Sequence, residues 1–160
     1  MSPALLQIDR LSLELPAGAD RPYAIEALSL AIEPGETLCV VGESGSGKSL
    51  TALAAIGLLP RTIRPTGGAI RLAGRDLLAL SDAEMRNVRG REIGMIFQEP
   101  MTSLNPVMRI SDQIAEIFMV HGALDRRRRR ERVMELIREV GLPDPAAIAI
   151  ITRWRSSRSC

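Results

Sequence analysis

The chain has 160 residues, 46% of them hydrophobic, and its 21 basic and 19 acidic residues give a formal charge of +2. This length and apolar content are sufficient for one domain with a hydrophobic core, and they exclude an intrinsically disordered chain. Two cysteines, Cys39 and Cys160, are too few for a disulfide framework and favour a reducing compartment such as the cytosol. Because no apolar run approaches the roughly 20 residues that cross a bilayer, we expect no membrane-spanning segment and no export signal.

The first half of the chain predicts strands followed by a helix. Leucine and isoleucine alternate with smaller or polar residues over 11–15 and 28–32, as in half-buried strands, with a turn between the two runs. The run 37–41 is apolar without alternation, which is typical of a strand covered on both faces at the centre of a parallel sheet. Residues 49–59 predict a helix that Pro60 ends, and a short strand is expected over 67–72.

The second half alternates in the same way between one strand and several helices. Ser81 and Glu84 form the pattern of a capping box, which predicts a helix start. Residues 93–97 predict a second compact apolar strand, and helices are expected over 111–120 and 125–140. Strands that alternate with helices place the chain in the α/β class.

Residues 42–49, GESGSGKS, match the G-x-x-x-x-G-K-[ST] pattern in full. They follow a predicted buried strand and precede a predicted helix, which is the context that a phosphate-binding loop requires. Lys48 is the single lysine among 21 basic residues, so an ammonium was selected here where arginine serves elsewhere. Ser49 is positioned to offer a hydroxyl to Mg²⁺. The alternative is a glycine-rich turn that binds no ligand.

The predicted strand 93–97 leads directly into Gln98. A glutamine at the end of a central strand can coordinate Mg²⁺ or position a water beside the terminal phosphate, although in isolation a capping amide is the simpler explanation. At this point the sequence resembles the ATP-binding subunits of ABC transporters, within the group that imports dipeptides, oligopeptides and nickel. The resemblance rests on GESGSGKS, MIFQEPMTSLNPVMRISDQIAE and LIREVGLPDP, and it covers about residues 5–147.

The resemblance implies a P-loop NTPase core with an N-terminal antiparallel β subdomain and a following helical segment, together an incomplete ABC nucleotide-binding domain. It implies ATP and Mg²⁺ as cofactors, with Ser49 and Gln98 at the metal and Gln98 positioning water. Residues 99–106 would form the hinge that faces the membrane partner. The residues expected to bind the nucleotide are Gly42, Glu43, Ser44, Gly45, Ser46, Gly47, Lys48, Ser49 and Leu50.

The implied partners are transmembrane permease subunits and a second ATP-binding subunit, and the implied location is the cytoplasmic, inner face of the cell membrane. Family members place an aromatic ring against the adenine in the first hairpin. The register puts Leu15 at that position, so we expect Tyr23 to be a partly exposed hairpin residue rather than the adenine platform.

The sequence departs from the family after residue 147. The LSGGQ motif, the strand that ends in Asp-Glu and the switch histidine are not found, so no general base is present. We expect residues 1–147 to be the N-terminal part of the ATP-binding domain and 148–160 to be a basic tail outside the family pattern, which a shifted reading frame would explain. The alternative to a transport subunit is a truncated fragment that binds nucleotide without hydrolysing it. His121 is expected at the surface.

An arginine run occupies residues 126–130, within a C-terminal stretch, 121–160, that holds 10 basic and 5 acidic residues. Such a run could contact nucleic acid phosphates, which would make the chain a basic P-loop protein that acts on nucleic acid. Stacking aromatic residues are lacking nearby. The run opens a helix whose apolar stripe begins at Val133, so a solvated arginine-rich face is favoured and no nucleic acid partner is expected.

Overall fold

The computed structural model describes residues 4–97, 104–121, 124–141 and 143–151. The chain divides into two compact units, Met1–Ile93 and Gly94–Cys160, here called the N-terminal and C-terminal units. Among the described residues, no helix is long and apolar enough to cross a membrane.

The N-terminal unit contains a four-stranded antiparallel sheet in the order β2-β1-β3-β4. Its strands are β1 (Leu6–Glu14), β2 (Tyr23–Ile32), β3 (Arg64–Leu72) and β4 (Arg75–Asp76). Two helices complete the unit, α1 (Lys48–Ala55) and α2 (Asp82–Val88). The strand that alternation predicted at 28–32 therefore lies within β2, and the one predicted at 11–15 overlaps β1, which ends at Glu14. Each of the two strands begins earlier than the pattern indicated.

Bulges in β1 and β2 set which side chains enter the core. Pairing shifts register between Ile8 and Leu11, where Arg10 has a φ of 45°. The extra residue lets two side chains three positions apart, Ile8 and Leu11, both lie buried. Leu13 and Ile70 are fully buried beside them, at 0% exposure. The sheet packs its apolar face against α1, α2 and the turns around them.

The two predicted strands of a central parallel sheet are not formed. Residues 37–41 and 94–97 have no strand assignment, and the one pairing near the second segment is an isolated parallel bridge between Arg89 and Ile93. Val41 is 88% exposed and Ile96 is 99% exposed. The prediction was wrong for the described chain because a strand needs a backbone neighbour on at least one side, and no described segment supplies one.

The C-terminal unit is helical. Its helices are α3 (Ile110–His121), α4 (Arg126–Glu139) and α5 (Pro145–Ile150), and the first two agree with the predicted helices. Val133 and Ile137 of α4 form a small core with Ala149 of α5, against which Phe118 of α3 packs. Helix α5 runs across the boundary that the sequence predicted after residue 147, which itself stays a prediction.

Candidate functional site

Glycine is required at two positions in the loop that precedes α1. Gly45 and Gly47 have φ angles of 81° and 90°, in the left-handed region that other residues avoid. Gly47 is also buried: a Cβ there would lie 2.7 Å from Ile25 Cγ1 and 3.0 Å from the Ala24 carbonyl oxygen. The loop can therefore turn into the helix only because this position carries no side chain.

Lys48 is held at the centre of this loop. Its Nζ donates hydrogen bonds to the carbonyl oxygens of Gly42 at 2.7 Å and Glu43 at 2.5 Å, and to Ser46 Oγ at 3.0 Å. A Cβ on Gly42 would lie 2.9 Å from Ser46 Oγ and 3.8 Å from Lys48 Nζ, so the first glycine leaves room for the ammonium. The loop is thus wrapped around one compact positive charge, from which three neutral oxygens of the loop now accept hydrogen bonds.

Helix α1 begins without a side-chain cap, in contrast to the other helices whose N-caps are described. Gly47 at its N-cap makes no side-chain hydrogen bond, and its first turn contains no acidic residue. Helices α2, α4 and α5 are instead capped by Ser81, Asp125 and Asp144. The first amides of α1, which have no partner within the helix, consequently remain available to an anion at the positive end of the helix dipole.

Three further hydrogen bonds hold the loop at the Gly47 and Gly45 carbonyls. Thr51 Oγ1 donates to the Gly47 carbonyl at 3.1 Å, and the Gly47 carbonyl also accepts from the Thr51 backbone amide at 2.9 Å. Arg21, in the turn between β1 and β2, donates from Nη2 to the Gly45 carbonyl at 2.7 Å. Sequence reasoning missed Arg21, because a single arginine in a turn 24 residues from Gly45 carries no local pattern.

The remaining predicted loop residues occupy the surface around this centre. Glu43, Ser44 and Ser49 are exposed and Leu50 is half-buried. The Ser49 hydroxyl, in the first turn of α1, is thus open to a ligand beside Lys48. Gln98 and residues 99–103 lie outside the described residues, so the predicted water and Mg²⁺ role of Gln98 stays a prediction.

The end of the predicted hinge is described and is well ordered by hydrogen bonds. The Asn105 amide donates to Gln113 Oε1 at 2.8 Å, and Gln113 Nε2 donates back to the Asn105 carbonyl at 3.0 Å and to the Met108 carbonyl at 3.0 Å. Gln113, in the first turns of α3, therefore fixes the segment that leads into that helix.

Two residues were predicted to lie outside the site. Tyr23 opens β2 opposite Glu14 and is partly exposed, as expected for a hairpin tyrosine. His121 is the last residue of α3, at the predicted helix end, and its side chain lies outside the described residues.

The arginine run forms the solvated face that the sequence favoured. Val133 and Ile137 are buried in the core, whereas two arginines of α4 pair with glutamates of the same helix. Arg127 bonds Glu131 at 3.0 Å, and Arg132 bonds Glu135 at 3.0 Å and Glu139 at 3.1 Å. The hydrogen bond to Glu135, followed by the charge of Glu139, raises the pKa of Arg132 above its ordinary value. Such pairs between neighbouring turns stabilise the helix modestly, and the absence of a nucleic acid partner stays a prediction.

Comparison with known proteins gives a consistent result. The sequence model of the ABC transporter family matches residues 25–156. The oligopeptide transport ATP-binding protein OppD of Bacillus subtilis is 43% identical over 145 residues, which are 88% of this chain and 40% of that protein. The dipeptide transport ATP-binding protein DppD of Escherichia coli is 41% identical over 144 residues, which are 90% of this chain and 44% of that protein. The chain thus spans less than half the length of these relatives.

Solved structures show the same fold. The dimeric ATP-binding cassette MJ0796 in a post-hydrolysis state, bound to ADP and Pi, has a TM-score of 0.72 with 21% identity. The match covers 92% of this chain and 61% of that cassette. The described elements therefore constitute part of a cassette fold, an antiparallel sheet followed by helices.

Proposed function

The chain belongs to the ABC transporter family, and from this premise we propose that it is the ATP-binding component of a peptide import system. The observation that carries the proposal is the loop 42–49, which encloses the Lys48 ammonium and leads into an uncapped helix. Peptide is favoured over nickel as the imported solute because similar relatives are named as oligopeptide, dipeptide or putative peptide import proteins.

The geometry indicates how the loop would receive the phosphates of ATP. The three oxygens that now accept hydrogen bonds from Lys48 are neutral, and a phosphate oxygen, being charged, makes a stronger hydrogen bond with the same ammonium. The first amides of α1 donate to the same phosphates, favoured by the helix dipole. Lys48, the loop backbone and the helix start thus act on one anion.

Ser49 fits the Mg²⁺ that accompanies ATP. Its hydroxyl is exposed in the first turn of α1, next to Lys48, and Mg²⁺ prefers oxygen ligands together with phosphate oxygens. When bound, the ion would neutralise charge on the phosphates. We propose Gln98 as the second protein ligand and as the residue that positions water.

The proposal extends to the assembly. The relatives named above are transport ATP-binding proteins, and the structural neighbour is a dimeric cassette. We propose that residues 1–147 of this chain are the N-terminal part of such a domain. It would work with permease subunits and a second ATP-binding subunit at the cytoplasmic face of the membrane. Residues 99–106 would face the permease.

Titration with a non-hydrolysable ATP analogue and Mg²⁺ tests the nucleotide site. Lys48→Ala is expected to weaken binding by a factor on the order of a hundred or more, because it removes the charge that the loop encloses. Lys48→Arg is expected to bind poorly as well, since a planar guanidinium does not fit the space beside Gly42. Arg86→Ala, which removes an exposed arginine of α2, serves as the matched control and should bind like the wild type. Equal affinities for Lys48→Ala and wild type would refute the proposal.

A further inference from the structure

The turn that joins β1 to β2 reaches the phosphate loop through one side chain. The turn is closed at its base by the Leu15 amide, which donates to the Pro22 carbonyl at 2.9 Å. From this closed turn, the exposed Arg21 extends its Nη2 to the Gly45 carbonyl at 2.7 Å. Among the described residues, Arg21 makes no other side-chain hydrogen bond or ion pair, so its guanidinium is committed to the loop.

The bond to Gly45 fixes more than one atom. A peptide group is planar and trans, so the Gly45 carbonyl and the Ser46 amide of the same peptide point in opposite directions. Arg21 holds the carbonyl on the outside of the loop, which turns the Ser46 amide towards the inside. There the amide donates to the Glu43 carbonyl at 3.3 Å, the same oxygen that accepts from Lys48 Nζ. One external bond thus orients an internal donor.

Gly45 itself does little to fix this peptide, because glycine has no side chain that restricts its backbone angles. Its φ of 81° is one of several conformations open to glycine, and space for a Cβ there is unoccupied within 4 Å. Side-chain packing at Gly45 therefore does not select this peptide orientation, and two hydrogen bonds do: the one from the Ser46 amide to the Glu43 carbonyl within the loop, and the one from Arg21 to the Gly45 carbonyl. The bond from Arg21 is the shorter of the two, 2.7 Å against 3.3 Å, and it is the one that comes from outside the loop.

We propose that Arg21 is a positioning residue of the nucleotide site, which holds the Gly45–Ser46 peptide so that the Ser46 amide faces the bound phosphates. The inference rests on the proposed function. Arg21 acts through the loop backbone and not on the nucleoside, so its effect belongs to the phosphate part of the ligand. This role needs only one N–H donor on a side chain of similar length, so lysine should replace arginine. A role that depends on the two-pronged guanidinium group would not tolerate lysine.

The test compares two ligands and three proteins in the 160-residue chain. Wild type, Arg21→Met and Arg21→Lys are titrated with the ATP analogue and with inorganic tripolyphosphate, both with Mg²⁺. Arg21→Met, which keeps the length of the side chain and removes its donors, is expected to weaken both ligands by the same factor, about three- to tenfold. Arg21→Lys is expected to stay within about twofold of wild type. Arg86→Met is the control for removal of an exposed arginine.

Each contrary result has a distinct meaning. A loss confined to the ATP analogue would show that Arg21 contacts the nucleoside, and equal affinities for wild type and Arg21→Met would show that the bond does not matter; both overturn the inference. A loss in Arg21→Lys as large as in Arg21→Met also overturns it. If wild type binds neither ligand, the proposed function fails and this inference fails with it. Thermal unfolding of each variant, expected to match wild type because Arg21 is exposed, excludes loss of structure as the cause.

Discussion

Two sets of apolar segments in this chain differ completely in burial. Strands β1 and β3 bury Leu13 and Ile70 completely, whereas segments 37–41 and 94–97 expose Val41 and Ile96 almost completely. Both sets were expected to be strands. The difference lies in where their neighbours are: β1 pairs with β2 across the turn at residues 15–22 and with β3 on its other side, while the described chain offers no partner to the exposed segments.

The contrast shows what an apolar pattern can and cannot specify. Both antiparallel neighbours of β1 lie within the described chain, β2 next in sequence and β3 on the other side, so its backbone is paired along both edges. A parallel strand needs a crossover connection and a second strand beyond it. The apolar pattern of such a strand predicts that its faces are buried, but the residues that would bury them lie elsewhere in the chain. Whether segment 37–41 becomes a strand thus depends on residues outside the segment itself.

The largest expected effect is on the free energy of unfolding, which should respond to truncation in the buried strands and not in the exposed segments. Leu13→Ala is expected to destabilise the chain by about 2 to 5 kcal/mol, since a fully buried leucine leaves a cavity. Val41→Ala is expected to change the free energy of unfolding by less than about 0.5 kcal/mol, because that side chain is exposed. Urea unfolding followed by circular dichroism measures both. A cost at Val41 that approaches the cost at Leu13 would show that segment 37–41 is buried in solution.

A chimera tests whether additional sequence can pair with the exposed segment 37–41 and bury it. Cys39, exposed within segment 37–41, reports on its cover. In the 160-residue chain with Cys160→Ser, the Cys39 thiol is expected to react quickly with a disulfide reagent. In a chimera that continues after residue 147 with the remaining sequence of the oligopeptide relative, other cysteines being serine, the rate is expected to fall by on the order of tenfold or more. Equal rates would mean that the added sequence does not pair with this segment.

The smallest effect is expected in α2, where pattern and structure agree in detail. Ser81 accepts from the Glu84 amide at 3.4 Å, and the Glu84 carboxylate accepts from the Ser81 amide at 2.8 Å and hydroxyl at 2.6 Å. Ser81→Ala is expected to cost about 1 kcal/mol of stability by urea unfolding. Ser81→Asp, which keeps a capping oxygen, should cost less, and equal losses would show that the cap is not the cause.

The same cap gives a pH dependence with a defined sign. The hydrogen bond from the Ser81 hydroxyl, followed by that from its amide, lowers the pKa of Glu84 below its ordinary value. A lowered carboxyl pKa in the folded state stabilises the fold above the unfolded pKa, about 4.3, and that stabilisation is lost as pH falls through the folded value. Glu84→Gln should therefore be less stable than wild type near neutral pH, with a difference that shrinks in acid. A constant difference would contradict this assignment.

Much of the site could be predicted from sequence because it is continuous in the chain. Residues 42–49 specify their glycines, the enclosed lysine and the following helix within one stretch, and the capping box of α2 is equally local. Arg21 and the bulge at Arg10 were missed for the opposite reason: each depends on a partner distant in sequence, the Gly45 carbonyl for one and the strand register for the other. The assignment of nucleotide-binding roles to individual residues stays a prediction that the titrations address.

The close approach at Gly47 has a consequence for how variation in this protein should be interpreted. Ile25 belongs to the hydrophobic core of the sheet, yet its Cγ1 lies only 2.7 Å from the position that a Cβ of Gly47 would occupy. One side chain therefore packs in the core and against the loop. A larger or differently branched side chain at residue 25 would displace the loop at Gly47, and a smaller one would remove packing against it. A substitution of Ile25 that improves packing in the core would therefore also change ligand affinity, although Ile25 is not proposed to contact the ligand. A screen that measures only binding would wrongly identify Ile25 as a ligand contact.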